Sequence, residues 1–144
     1  MKIGVYGSLR KDCYNYTIME DDNVKYLGDD IIKGFALYSL GSYPAIIPDD
    51  STSVVVEVYD VPEDTYSIIT SMELGAGYEI QKVETKYGIV DVYVFKNEYG
   101  YINESKPKIE HGDWVRYLRD REKQIEEDKN RFLKEQYEKL RRKR

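Results

Sequence analysis

Few residues in this chain can do chemistry unaided. It carries one cysteine, Cys13, and one histidine, His111. A cysteine nucleophile needs a base beside it, and His111 sits in a polar stretch with no motif around it, which argues against thiol catalysis. The same scarcity leaves no Cys/His cluster for a structural zinc site and no internal disulfide, and a reducing, cytoplasmic setting fits best. Among the carboxylates, Glu57 and Glu73 can be drawn as a glycosidase pair, yet no sugar-stacking surface accompanies them. Glu57 lies between Val56 and Val58 in a valine-rich run, so alternation puts it on one face, either solvated or as a polar group inside a barrel. Gly7-Ser8-Leu9 follows an apolar strand and can offer main-chain N–H groups to an anion, because glycine admits backbone conformations that other residues avoid.

The elements that must position these groups are short and mixed. The chain has 144 residues, enough for one domain with a sizeable core. Its formal charge is -5, and this acidic balance argues against a surface that coats nucleic acid. No run of about 18 apolar residues is present, so neither a membrane span nor a signal peptide is expected. Strands are expected over Lys2–Tyr6, Ile31–Leu40, Ser53–Tyr59, Tyr78–Thr85 and Ile89–Phe95, the last two joined by a hairpin turn at Lys86-Tyr87-Gly88. A short helix opens near Asn15 to Met19. Pro62 introduces a second over Glu63–Met72, where Tyr66, Ile69 and Met72 fall at helical spacing and Gly75 and Gly77 end it. Residues 97–112 read as a long polar loop. The fold class is α+β.

Composition changes near Trp114. Residues 1–115 hold 10 basic and 20 acidic side chains, whereas residues 116–144 hold 12 and 7. All ten glycines and all four prolines precede this point, and the remainder of the chain reads as one helix about 45 Å long at 1.5 Å per residue. Leu118, Ile125, Phe132, Leu133, Tyr137 and Leu140 form a thin apolar stripe on this charged rod. The stripe needs a partner, either the parent domain or a second copy in a homodimer. The division is therefore a domain over 1–117 and a charged helical extension over 118–144.

Tyr6-Gly7-Ser8-Leu9-Arg10, with Asn15 a few residues on, resembles the signature of the gamma-glutamylcyclotransferase-like family, of the gamma-glutamylamine cyclotransferase type. Gly34, then Gly41 with Tyr43-Pro44-Ala45, resembles the family's glycine and Y-P-A segment. Glu57-Val58-Tyr59 resembles its G-E-V-Y strand, and Gly112-Asp113-Trp114 its G-D-W. The succession covers residues 3 to about 117. It implies a small closed mixed β-barrel with flanking helices, a small-molecule gamma-glutamyl substrate and release of 5-oxoproline without a cofactor.

Residue by residue, the resemblance makes Glu73 the catalytic base, since it matches the glutamate at a helix end shortly before a Y-x-R strand. Ile69-Thr70 stand where the family has Leu-Asp, Leu74 where it has Gly, and Ile80 where it has Arg. The family's loop holds the glutamyl α-carboxylate, which implies substrate contacts for Tyr6, Gly7, Ser8, Leu9, Arg10 and Tyr43, with Asn15, Glu57 and Tyr78 as further pocket residues. From the residues alone, Tyr6 is either the last core residue of its strand or a hydroxyl aimed into the pocket. Arg10 meets either a substrate carboxylate or an acidic neighbour such as Asp12, and Asn15 caps the helix after it. Trp114 reads as a core anchor, Asp113 as a helix cap and His111 as a surface residue. Partial burial beside Met72 and Leu74 would raise the pKa of Glu73. A second reading keeps the fold and pocket for a non-catalytic binding or assembly module.

Overall fold

The computed structural model describes residues 1–143. By internal contacts the chain divides into two compact units that meet between Trp114 and Val115. The first holds a six-stranded mixed sheet and one α-helix. Its strands are β1 (Lys2–Val5), β2 (Lys25–Ser39), β3 (Pro44–Asp60), β4 (Tyr78–Thr85), β5 (Gly88–Phe95) and β6 (Lys108–Ile109), in the order β4-β5-β1-β3-β2-β6. Helix α1 (Glu63–Gly75) follows β3, and a single 3₁₀ turn occupies Tyr16–Met19 in place of the expected short helix.

β1 is the hinge of this topology. It runs antiparallel to β3, with Val5 opposite Glu57, and parallel to β5, with Gly4 opposite Val92. Its parallel neighbour is reached only after β2, β3, α1 and β4, so both edges of β1 are covered. Ile3 and Val5 are buried accordingly. Gly4 has its reason in space: a Cβ there would lie 3.3 Å from Val90 Cγ2.

The two longest strands exceed the expected ones. β2 begins at Lys25 rather than Ile31, and β3 at Pro44 rather than Ser53. The extra residues include Asp29, Asp30, Asp49, Asp50 and Ser51, which carry no apolar alternation and so leave no strand signal. Asp29 and Asp30 pair with Glu57 and Val56 of β3. The register passes from Lys33 opposite Ser53 to Phe35 opposite Pro48, which leaves residues 49–52 looped out against Gly34 alone. Asp49 closes that loop by accepting the Ser51 N–H at 2.9 Å, and the Thr52 hydroxyl donates to the Phe35 carbonyl at 2.7 Å. Gly34 takes φ +89°, a value open to glycine, and the bulge bends the sheet there. The resulting sheet is curled, but its ladder does not close. β6 has two residues and pairs with β2, and among the described residues nothing pairs β4 with β6. The expected closed barrel is therefore an open, curled six-stranded sheet.

α1 starts after Pro62, with Glu63 and Asp64 in the first turn where they complement the helix dipole. It buries Ile69 completely and leaves Ile68 largely exposed, so Ile69 is its anchor, a contact that stabilises by about 1.5–3 kcal/mol. The helix ends as expected near Gly75; Ala76 N–H bonds to the carbonyls of Met72 and Glu73, and Gly77 at φ +96° turns the chain into β4. The core around β1 and α1 includes Leu9, Met19, Ala45, Tyr59, Val61 and Ile102. The continuous helix α2 (Trp114–Arg142) starts at the last residue of the first unit and forms the second, where Ile125, Phe132, Leu133, Tyr137 and Leu140 are all exposed. Trp114, its first residue, is buried as the expected core anchor.

Candidate active site

One cavity of about 620 Å³ opens in the first unit, between the loop after β1, the start of β3 and the last turn of α1. Gly7, Ser8 and Leu9 line one side. Glu73 lies among its lining residues together with Tyr6, Tyr43, Tyr78 and Asn15. The structure thus brings these eight expected site residues together. Arg10 and Glu57 are not among them.

Those two form the support of the loop instead. Arg10 and Glu57 are both buried, and the guanidinium Nε donates to Glu57 Oε2 at 2.7 Å while Nη1 donates to Asp113 Oδ1 at 2.7 Å. Glu57 Oε1 also accepts the Lys11 N–H at 2.9 Å and the Tyr59 hydroxyl at 2.8 Å. A buried carboxylate is tolerable only when its lone pairs are filled and an opposite charge is at hand, and here both conditions are met. Arg10 therefore faces Glu57 and Asp113 rather than Asp12 or a substrate, and Glu57 is the polar group packed within the sheet. Asp113 directly precedes α2, and its N–H donates to Nδ1 of the exposed His111 at 3.2 Å.

The network fixes where the preceding residues must lie. The Gly7 carbonyl accepts from Arg10 N–H at 2.9 Å, the Ser8 carbonyl accepts from Asn15 N–H at 2.8 Å, and Asn15 Nδ2 donates to Ser8 Oγ at 3.0 Å. Asn15 thus ties the loop together and makes no side-chain cap of the turn after it. The N–H groups of Gly7, Ser8 and Leu9 have no acceptor among the described residues, so three consecutive donors border the cavity. Gly7 is needed for a reason other than a special φ: a Cβ there would lie 2.7 Å from Pro44 Cγ and 3.0 Å from Cδ. The close approach of loop and β3 makes that wall of the cavity.

Glu73 has the opposite environment. It sits half-buried in the last turn of α1, with no hydrogen-bond donor and no cation beside it among the described residues. Burial disfavours its charged form and pushes the carboxyl up to about 7. The negative end of the helix dipole acts in the same direction. Tyr6, Tyr78 and Tyr93 surround it, and burial holds the hydroxyls of Tyr6 and Tyr78 well above their ordinary value, so they remain protonated. Tyr6 donates to the Tyr93 carbonyl at 2.6 Å and Tyr78 to the Pro44 carbonyl at 2.7 Å. Both pin the wall while their rings line the cavity. Met72, Ala76, Ser42, Pro44, Tyr14 and Tyr93 complete much of the lining, and the motifs do not single them out as site residues. For Pro44 the Y-P-A segment is a usable signal, and for Tyr93 so is its place two residues beyond Asp91 on β5, which puts both on one face.

The lining of this cavity therefore combines one carboxyl poised near neutrality with three consecutive residues whose main-chain N–H groups have no acceptor among the described residues. No group of three His, Cys, Asp or Glu residues able to hold a metal occurs among the described residues, and no described helix is long and apolar enough to cross a membrane. The family model for gamma-glutamyl cyclotransferase, AIG2-like, matches residues 3–116, and the chain belongs to that family of cyclotransferase enzymes. It is 36% identical over 116 residues to the gamma-glutamylcyclotransferase family protein YtfP of Escherichia coli K12, covering 80% of this chain and 96% of the relative. The solution structure of the Escherichia coli protein superposes with a TM-score of 0.59 at 32% identity, over 80% of this chain and 96% of that one. The crystal structure of PH0828 from Pyrococcus horikoshii gives a TM-score of 0.72 at 29% identity, over 85% and 96%.

The contrast between the two glutamates can be measured. Replacing Arg10 by Met strands the Glu57 carboxylate, and calorimetry should show a loss of about 3–5 kcal/mol, partly recovered in the double variant Arg10→Met/Glu57→Gln, which removes the orphaned charge. For Glu73 the folded pKa lies above the unfolded one, so the native state holds the extra proton and stability falls as pH rises from about 4.5 to about 7. Glu73→Gln should thus be more stable than the wild type at pH 8, by up to about 3 kcal/mol, and match it near pH 4.

Proposed function

We propose that the protein releases 5-oxoproline from a gamma-glutamyl amine, amino acid or peptide, with Glu73 as the base. The observation that carries this reading is the lone carboxyl, raised to about 7, in the same cavity as the unfilled N–H groups of Gly7, Ser8 and Leu9. The loop would receive the α-carboxylate of the glutamyl group, whose negative charge complements three main-chain donors. Arg10 would hold the loop from behind without touching substrate.

The reaction then needs little more than proton transfer. Glu73 takes a proton from the α-ammonium group, and the freed amine attacks the γ-carbonyl carbon of its own molecule. The new C–N bond closes a five-membered ring, and proximity is supplied by the substrate itself. As the tetrahedral intermediate collapses, the old C–N bond breaks and Glu73 returns its proton to the departing nitrogen. The remaining extra proton on the ring nitrogen passes to Glu73 and from it to the departing amine, which leaves as its ammonium ion, so the carboxylate is regenerated. A pKa near the working pH suits a group that must both take and give a proton. The chemistry is assigned to residues 1–117; residues 118–144 form an extension with an exposed apolar stripe, suited to pairing with a second copy.

The test is 5-oxoproline release from a panel of gamma-glutamyl compounds. Glu73→Gln keeps the shape without the base and should lower kcat at least about a hundredfold. In the wild type, kcat should rise with pH to a plateau with its midpoint near 7, as the base ionises. Undiminished turnover by Glu73→Gln contradicts the assignment.

A further inference from the structure

If the three N–H groups of the loop are occupied by the substrate's α-carboxylate, as the proposed function has it, the oxygen of the γ-carbonyl still needs a donor when it becomes an oxyanion. The cavity contains three buried tyrosines, and each hydroxyl has one proton to give. Tyr6 spends its proton on the Tyr93 carbonyl, and Tyr78 on the Pro44 carbonyl. Tyr93 differs. Its hydroxyl lies 2.7 Å from Thr70 Oγ1, a contact in which either oxygen can be the donor. When Thr70 donates to Tyr93, the Tyr93 proton is left unspent, and Tyr93 is one of the residues lining the cavity.

The surroundings hold Tyr93 in place from α1 and from the sheet. Tyr66, Thr70 and Glu73 recur at i, i+4 and i+7 on one stripe of α1, while Asp91 and Tyr93 share a face of β5. Tyr66 donates to Asp91 Oδ2 at 2.5 Å, and Lys82 Nζ lies 2.9 Å from Asp91 Oδ1. Burial pushes the Asp91 carboxyl up, but Lys82 and Tyr66 more than offset this and hold it below the usual range, so Asp91 stays an anchored anion. Two polar rungs, Tyr66 to Asp91 and Thr70 to Tyr93, thereby clamp the helix to β5 one turn before Glu73. Burial pushes the Tyr93 hydroxyl up to about 12, so it carries its proton throughout the range in which Glu73 works.

We infer that Tyr93 is a catalytic residue that donates its hydroxyl proton in a hydrogen bond to the γ-carbonyl oxygen as that oxygen becomes an oxyanion, with Thr70 as its positioning residue. During attack the carbonyl π pair moves onto oxygen, where the Tyr93 hydroxyl meets it. During collapse the pair returns, the amine leaves with the proton from Glu73, and Tyr93 keeps its own proton throughout. A neutral donor is suited to this place, because a second carboxylate would repel the developing charge.

The experiment compares wild type, Glu73→Gln, Tyr93→Phe and Thr70→Val for 5-oxoproline release, together with thermal melting and binding of 5-oxoproline by calorimetry. Tyr93→Phe should lower kcat by about a hundredfold to a thousandfold with KM and 5-oxoproline affinity little changed, the scale for removing one oxyanion donor. Its pH profile should keep the midpoint near 7, since Glu73 is untouched. Thr70→Val breaks the same rung but leaves the Tyr93 proton available, and should lose less than about tenfold in kcat. Equal kcat losses in Thr70→Val and Tyr93→Phe would show Tyr93 to be only a clamp and overturn the inference. Wild-type kcat in a folded Tyr93→Phe protein would do the same while leaving the role of Glu73 intact. A wild type that releases no 5-oxoproline from any compound overturns the proposed function and this inference with it.

Discussion

The buried contact between Arg10 and Glu57 governs the rest of the site. Glu57 stands in β3 where β1 covers one edge and β2 the other, a position that leaves its carboxylate little access to water. It must therefore draw its partners from the chain, and the loop after β1 supplies two of them, the Arg10 side chain and the Lys11 N–H. Once those bonds form, Gly7, Ser8 and Leu9 have little freedom. Their N–H groups end beside the cavity, and Arg10 reaches on to Asp113 at the beginning of α2. The ion pair thus gives specificity of placement; its net contribution to stability is small beside the cost of breaking it.

Across the cavity the logic reverses. Both Glu57 carboxylate oxygens are engaged, whereas Glu73, also a glutamate and only half-buried, has none of its demands met. The difference in environment makes one carboxylate a structural ion and the other a carboxyl that titrates near neutrality. Leaving Glu73 unpartnered costs folding free energy at neutral pH, and the cost is borne by the apolar packing of α1, above all by Ile69. The tyrosines serve both purposes. Tyr6 and Tyr78 close main-chain carbonyls with their hydroxyls while their rings keep water from Glu73.

Helix α1, the β4–β5 hairpin and the location of Glu73 rest on local periodicity and turn residues, which are legible in the sequence one segment at a time. The motifs put the loop and Glu73 at one site, and both line the cavity. The motifs imply substrate contact for Arg10 and a place in the pocket for Glu57, but the two residues bond to each other across 47 positions of the chain, a separation no local pattern reports. The first half of β2 escapes a sequence reading because Asp29 and Asp30 pair there without apolar alternation, and the first half of β3 because the unpaired residues 49–52 interrupt it. The Gly7 requirement reads as conformational in the sequence, whereas the contact with Pro44 makes it spatial. Closure of the barrel is implied by family resemblance, and in this chain the two-residue β6 leaves the sheet open.

In the proposed function the loop donors and Glu73 together receive one gamma-glutamyl-derived molecule. This is tested most directly by titrating ¹⁵N-labelled protein with 5-oxoproline and following the amide signals. The largest shifts should fall on the N–H groups of Gly7, Ser8 and Leu9, with a second set in the last turn of α1 around Glu73. Saturable binding that moves other amides and leaves these unchanged would contradict that reading.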